Sequence, residues 1–191
     1  MSALILPPIL QKQRLFTLSE ARREGFSEHQ LRKLLLEKTI ERLGRGVYRL
    51  SSGDISEEEN FRLASIWLGK PSAVCLLSAL SYYNLTDEIP KQTWVMVTRS
   101  KISRHKELKL IRVRSPKWGI GIEKQKDFWI TSITRTIVDA FAHPQIVGTQ
   151  IAVDSLRRAL AEKLTSAQAV YKMAIQLGIA RRILPYVESL S

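Results

Sequence analysis

Residues 16–50 read FTLSEARREGFSEHQLRKLLLEKTIERLGRGVYRL, and this stretch decides the fold of the first part of the chain. Gly25 is placed to end one helix, because glycine readily adopts the left-handed conformation found after helix ends. Ser27, with Gln30 three residues later, has the capping-box pattern that starts another helix. The pattern therefore predicts one helix from near Leu18 and a second from about Glu28, joined by a tight turn. This is the helix-turn-helix arrangement.

The second predicted helix has an apolar back and a polar front. At about 100° per residue, Leu31, Leu34 and Leu35 lie on one face. The residues on the opposite face are His29, Arg32, Lys33 and Leu36. A helix in the major groove needs an apolar side that attaches it to its domain and hydrogen-bond donors toward phosphates and base edges.

Residues 39–50, TIERLGRGVYRL, predict two short strands joined at Gly44-Arg45-Gly46. Glycines supply the positive φ that a tight hairpin needs. A hairpin directly after a recognition helix is a wing, and Arg45 at its tip is placed to reach a phosphate or a narrow minor groove. Basic amphipathic helices and glycine-rich hairpins are each common, but their order and spacing here favour DNA binding. The residues expected to contact DNA are Ser27, His29, Arg32, Lys33, Arg42, Arg45 and Arg49.

Charge is distributed in blocks along the 191 residues. The chain has 30 Lys and Arg against 18 Asp and Glu, a net charge of +12 that attracts polyanions. Residues 1–50 carry +5, residues 51–90 carry −4, and residues 91–130 carry +8. The acidic block begins with the loop-like SSGDISEEE, which predicts a DNA-binding domain over residues 1–53 and a second domain over residues 54–191.

The second predicted domain mixes helices and strands. Two helices are expected between residues 57 and 85, broken at Gly69-Lys70-Pro71. TWVMVT, LKLIRVR and DFWITSI are rich in β-branched and aromatic residues and predict strands. The rest is helical, with Thr165 and Gln168 as a capping box and Gly178 as a stop. The predicted class is α+β: a winged helix-turn-helix, then a mixed domain of helices around a small β-sheet.

A second basic block lies between Lys91 and Lys126. A solvated edge strand and loop is the favoured interpretation. The alternative is a further phosphate-binding surface, for DNA or RNA, formed by Arg99, Lys101, Arg104, Lys106, Arg112 and Arg114.

Two patterns suggest enzymatic chemistry, and both favour a structural interpretation. Asp139 and His143 are four residues apart, but Pro144 ends that helix and no third metal ligand lies nearby in sequence. Glu107-Leu108-Lys109, with Asp87 upstream, has the residue types of a metal-dependent nuclease, but Glu-x-Lys is frequent in a chain this charged. We therefore predict no catalytic residues, no metal and no cofactor.

The remaining features predict a cytoplasmic protein. Cys75 is the only cysteine, so no intrachain disulfide forms, and its apolar neighbours predict a buried, inert thiol. The N-terminal residues lack the basic region of a signal peptide, and no apolar run is long enough to span a bilayer.

The sequence resembles the AbiEi-type antitoxins of abortive-infection toxin–antitoxin systems. The resemblance begins at residues 15–50 and continues in SAVCLLSALSYYNL, WVMVTR and ITSITRTIVDAF, and its most specific segment is Arg45-Gly46-Val47-Tyr48. It implies a cytoplasmic antitoxin that represses its own operon by binding inverted repeats in double-stranded DNA. It also implies a nucleotidyltransferase-like toxin that the C-terminal domain neutralises, often without a stable complex. Two alternatives are a transcription regulator without a toxin and a metal-dependent nuclease with a winged helix as its targeting module.

Overall fold

The computed structural model describes residues 5–113 and 116–190. The chain forms two compact units, Met1–Glu59 and Asn60–Ser191. Within the described ranges, no helix has the length and apolar character needed to cross a membrane.

The first unit is a winged helix. Its elements are α1 (Pro8–Gln13), β1 (Leu15–Thr17), α2 (Leu18–Arg23), α3 (Glu28–Leu36), β2 (Ile40–Gly44) and β3 (Val47–Leu50). The three strands form an antiparallel sheet in the order β1-β3-β2. The helices α2 and α3 form the helix-turn-helix, and β2 and β3 form the hairpin that follows it.

The predicted helix starts are confirmed, and the reason is local. The Ser27 hydroxyl accepts the Gln30 backbone N–H at 3.3 Å, while the Ser27 N–H donates to the Gln30 side chain at 2.8 Å. Thr17 and Glu20 form the same reciprocal box at the start of α2. Gly25 has a φ of 80° in the turn between the helices. Each cap satisfies backbone donors that a helix start otherwise leaves free.

The sequence did not predict α1 and β1. Phe16 of β1 is fully buried and stacks on Tyr48 of β3, with the ring centroids 5.9 Å apart. These rings share one core with Leu31 and Leu34, the two buried leucines of α3. The predicted apolar back of the second helix therefore attaches α3 to the sheet.

The second unit contains a five-stranded mixed sheet with helices around it. Its elements are α4 (Glu57–Leu68), which starts just before the division, β4 (Ser72–Val74), α5 (Leu76–Tyr82), β5 (Thr93–Thr98), β6 (Leu108–Val113), a 3₁₀ turn (Pro116–Gly119), β7 (Ile122–Lys124), β8 (Trp129–Thr131), α6 (Ile133–Ala142), α7 (Pro144–Val147), α8 (Thr149–Ala161), α9 (Ala167–Leu177) and α10 (Ala180–Leu190). The strand order is β6-β5-β4-β8-β7. The main core includes Ile137 and Val138 of α6 with Leu156 of α8 and Val170 of α9. The predicted α+β class is confirmed.

Two details of the second unit differ from the prediction. The strands β4 and β7 were not expected, because each has only three residues, too few to show a periodicity. The partners of β4 also lie far away in sequence. The cap of α9 is Ser166, whose hydroxyl accepts the Ala169 N–H at 3.1 Å. Thr165 instead forms a hydrogen bond with Thr134 at 2.8 Å. Gly178 ends α9 in the left-handed conformation, as predicted.

Candidate nucleic-acid interface

Helix α3 presents the predicted base-reading residues to solvent. Its nine residues span about 13 Å, which is comparable with the roughly 12 Å width of the major groove. His29, Arg32 and Lys33 are all exposed, on the side away from the buried Leu31 and Leu34. The three side chains predicted for this face therefore lie together and are accessible.

The candidate DNA-contacting side chains on and just before α3 differ in whether they already have a partner within the protein. Within the described part of the chain, Arg32 forms no ion pair. Lys33 lies 3.9 Å from Glu37 one turn later, an exposed pair worth roughly 0.3–0.5 kcal/mol that a phosphate can displace. The Ser27 hydroxyl is engaged in the helix cap. Arg32 is therefore an exposed guanidinium on α3 with no ion-pair partner among the described residues.

The hairpin after α3 has a defined tip. Gly46 has a φ of 68°, and its carbonyl accepts the N–H of Leu18 at 2.8 Å, which ties the turn to the start of α2. Gly44 ends β2, and the register shifts between Arg42 and Gly44. Arg45 is exposed at the turn. The hairpin thus holds one cation on a short, anchored turn.

The two other arginines of the hairpin have internal partners. The Arg42 Nε donates to the Gly44 carbonyl at 3.1 Å, although the residue stays exposed. Arg49 donates to Glu41 on the neighbouring strand at 2.8 and 2.5 Å, and 15% of its side chain is exposed. A DNA contact by Arg49 therefore requires this ion pair to open.

Residues 1–50 carry ten cations and five glutamates, so part of their positive charge is uncompensated. Glu20 caps α2, Glu28 pairs with Arg22, and Glu37 and Glu41 pair with Lys33 and Arg49. Two exposed cations that the sequence analysis did not select are Arg23 at the end of α2 and Lys38 just after α3. The position of Lys38 directly after the amphipathic helix pattern could have identified it from the sequence as a further candidate for phosphate contact. The net charge of +5 over residues 1–50 gives the winged helix a field that attracts phosphates.

The second basic surface follows the edge of the larger sheet. Strand β6 is an edge strand and carries Arg112, which is exposed, as are Arg99, Arg104 and Lys106 in the preceding segment. Lys101 donates to the Leu68 carbonyl at 2.7 Å. Arg114 lies outside the described residues. At least four cations are therefore accessible at or before this edge.

Aromatic rings lie under part of the same edge. The Lys109 ammonium is 3.6 Å from the Trp94 ring centroid, and His105 stacks on Trp67 with ring centroids 3.6 Å apart. The Lys109 contact is a cation–π interaction, which orients the ammonium without neutralising its charge.

The residues considered for catalysis do not converge. Asp87 pairs with Arg158 at 3.2 Å, and Lys109 lies over Trp94. Across residues 5–113 and 116–190, no three His, Cys, Asp or Glu side chains are grouped so that they could hold a metal ion.

Asp139 belongs to a buried ion pair. Its carboxylate accepts the Arg135 Nε at 2.8 Å, and Arg135 also donates to the Ile120 carbonyl at 2.5 Å. Burial raises the pKa of the Asp139 carboxyl, and the neighbouring Arg135 guanidinium opposes that rise. Burial also raises the pKa of the Cys75 thiol, and Cys75 is almost fully buried, as predicted. The hydrogen bond from Arg135 to Ile120 joins groups that are 15 residues apart in the chain. This indicates that the Arg135–Asp139 ion pair stabilises the second unit.

Comparison with known proteins bears on the first unit. Residues 5–51 match the family described as transcriptional regulator, AbiEi antitoxin, and this range contains every element from α1 to β3. No match was found among curated proteins. The winged-helix unit of this chain is therefore similar to the AbiEi antitoxin family of transcriptional regulators over residues 5–51.

Proposed function

We propose that the protein is a DNA-binding autorepressor and antitoxin of a toxin–antitoxin operon. In this proposal it binds inverted repeats in its own promoter and counteracts a nucleotidyltransferase-like toxin. The observation that carries the DNA-binding half is Arg32, which is exposed and forms no ion pair with any described residue. It lies on a helix whose other face is buried, within a unit that matches a regulator family.

Base recognition in this proposal comes from α3. An Arg guanidinium donates two parallel hydrogen bonds to O6 and N7 of guanine, and Arg32 is free to do so. His29, about one turn earlier, and Lys33, beside Arg32, are placed for neighbouring bases or phosphates. A helix of this length contacts only a few base pairs, so in this proposal operator specificity comes from two copies on two half-sites of an inverted repeat.

Phosphate contacts come from the hairpin and, in this proposal, from the second basic surface. Arg45 reaches the backbone or a narrow minor groove from the hairpin tip. The exposed cations at and before β6 add sequence-independent affinity along flanking nucleic acid.

Promoter activity tests the repressor half. A reporter gene driven by the protein's own upstream region should be repressed by the full chain and derepressed with Arg32→Ala. Lys12→Ala removes the same charge from an exposed position on α1 and should repress like the wild type. Equal repression by all three proteins would reject the assignment of α3 as the reader.

Growth rescue tests the antitoxin half, which is supported by the resemblance of segments in the second unit. The neighbouring toxin gene is expressed from an unrelated promoter, so that repression cannot protect the cell. We expect the wild type and Arg32→Ala to restore growth equally. Failure of both would leave a transcription regulator without a toxin, and cleavage of duplex DNA in Mg²⁺ would instead favour a nuclease.

A further inference from the structure

Leu36 is the most exposed large hydrophobic residue among the described residues of the first unit. It is the last residue of α3, and 85% of its surface is accessible. An isolated exposed leucine is ordinary on a protein surface. Its position on the recognition helix makes this one informative.

Leu36 lies at the C-terminal end of α3 and, around the helix axis, between Arg32 and Lys33 on the groove-facing side. It follows Arg32 by four residues and His29 by seven, so all three share a face at about 100° per residue. The rise along the helix from Arg32 to Leu36 is about 6 Å, or roughly two base-pair steps. The buried Leu31 and Leu34 lie on the other side of the helix.

We propose that Leu36 reads a thymine of the operator through its C5-methyl group. This inference rests on the proposed DNA-binding function and deepens it. Among the four unmodified base pairs, the thymine methyl is the one apolar group that the major groove displays. An apolar side chain beside Arg32 therefore complements an A·T pair about two steps from the base that Arg32 contacts.

Charge favours DNA over a second copy of the chain as the partner of Leu36. Three exposed cations, Arg32, Lys33 and Lys38, lie within four residues of Leu36, against one carboxylate, Glu37, which pairs with Lys33. A two-fold contact through Leu36 would bring these cations close to their own copies, whereas phosphates on both sides of a groove attract them.

The test removes single methyl groups from the DNA. Each thymine of the operator is replaced in turn by deoxyuridine, which lacks only the C5-methyl, and Kd is measured for the wild type and for Leu36→Ala. At one position per half-site, we expect the wild type to bind about fourfold more weakly, the value for one buried methyl. Leu36→Ala should show a similar loss and no further loss with deoxyuridine at that position.

Two further variants control for side effects. Ile9→Ala truncates another exposed apolar side chain, 49% accessible on α1, and should keep the full deoxyuridine effect. Leu36→Met keeps an apolar contact and should retain part of it. Because Leu36 packs little against the domain, all three variants should melt like the wild type.

The possible failures are distinguishable. If the protein binds an operator but Leu36→Ala and deoxyuridine weaken binding additively at every position, the inference is wrong and the proposed function stands. The inference is also wrong, and the proposed function again stands, if wild-type binding is insensitive to deoxyuridine. The same conclusion follows if Leu36→Ala changes only the oligomeric state. Absence of any sequence-specific binding rejects both.

Discussion

Substitution of Arg45 at the hairpin tip tests whether the wing contacts DNA, because this side chain contributes little to the stability of the fold. The side chain is exposed, and within the described residues it forms no ion pair. Arg45→Ala should therefore change the free energy of unfolding by less than about 0.5 kcal/mol. The same change should weaken binding to operator and unrelated DNA alike, since a backbone contact carries no sequence information.

The size of the effect follows from counterion release. One lost phosphate contact lowers the slope of log K against log salt by about 0.9. Between 50 and 200 mM salt, the ratio of mutant to wild-type Kd should then fall by about 3.5-fold. Fluorescence anisotropy with a labelled duplex at four salt concentrations measures this slope. Lys12→Ala, which removes an equal charge from α1, should leave the slope within error of the wild type.

Two results would refute this reasoning. An unchanged salt slope in Arg45→Ala would mean that the hairpin tip does not contact a phosphate. A large fall in melting temperature would mean that Arg45 has a structural role.

The other predictions concern base readout, the turn, the buried ion pair and the division of labour. Arg32→Ala should lose about 1–3 kcal/mol of discrimination at one base pair, measured as the ratio of operator to mismatched-operator Kd. Gly46→Ala places a Cβ on a residue with a φ of 68° and should lower stability in urea by about 1 kcal/mol or more. Arg135→Met leaves the buried carboxylate of Asp139 unpaired and should destabilise the protein by about 3–5 kcal/mol at pH 7. Since the pKa of Asp139 is already raised by burial and rises further in this variant, the deficit against the wild type should be smallest near pH 4 and grow as the pH rises; a pH-independent deficit would contradict it. A fragment of residues 54–191 should fold, lose operator specificity and keep some protection against the toxin; rescue of growth by the complementary N-terminal piece alone would assign protection to repression.

Local signals predicted most of the first unit. The capping residues Thr17 and Ser27 and the left-handed Gly25 act within one turn of sequence, so the two helices and their junction could be recognised from the sequence. Strand β1 could not, because three residues give no periodicity and its partner is β3, 30 to 34 positions away. The same holds for β4, which joins β5 and β8 in the second unit.

The candidate site shows the same division between local and non-local information. A helical wheel was sufficient to predict that His29, Arg32 and Lys33 are exposed together, since Leu31 fixes the buried side. The wheel cannot reveal cross-strand pairs. The register of β2 and β3 sets Arg49 opposite Glu41. Because the two side chains form an ion pair, Arg49 is less available to DNA than its place in the hairpin sequence suggests.

A DNase I footprint on the protein's own upstream region is the most decisive experiment for sequence-specific repression. Purified full-length chain, incubated with that duplex at moderate salt and then treated with DNase I, should protect two half-sites related by an inverted repeat. The half-site centres should lie one helical turn, about 10–10.5 base pairs, or a multiple of it apart. Arg32→Ala at the same concentration should lose this protection before it loses non-specific binding. Uniform protection without a repeated pattern, or an identical footprint from Arg32→Ala, would contradict a sequence-specific repressor that reads DNA through α3.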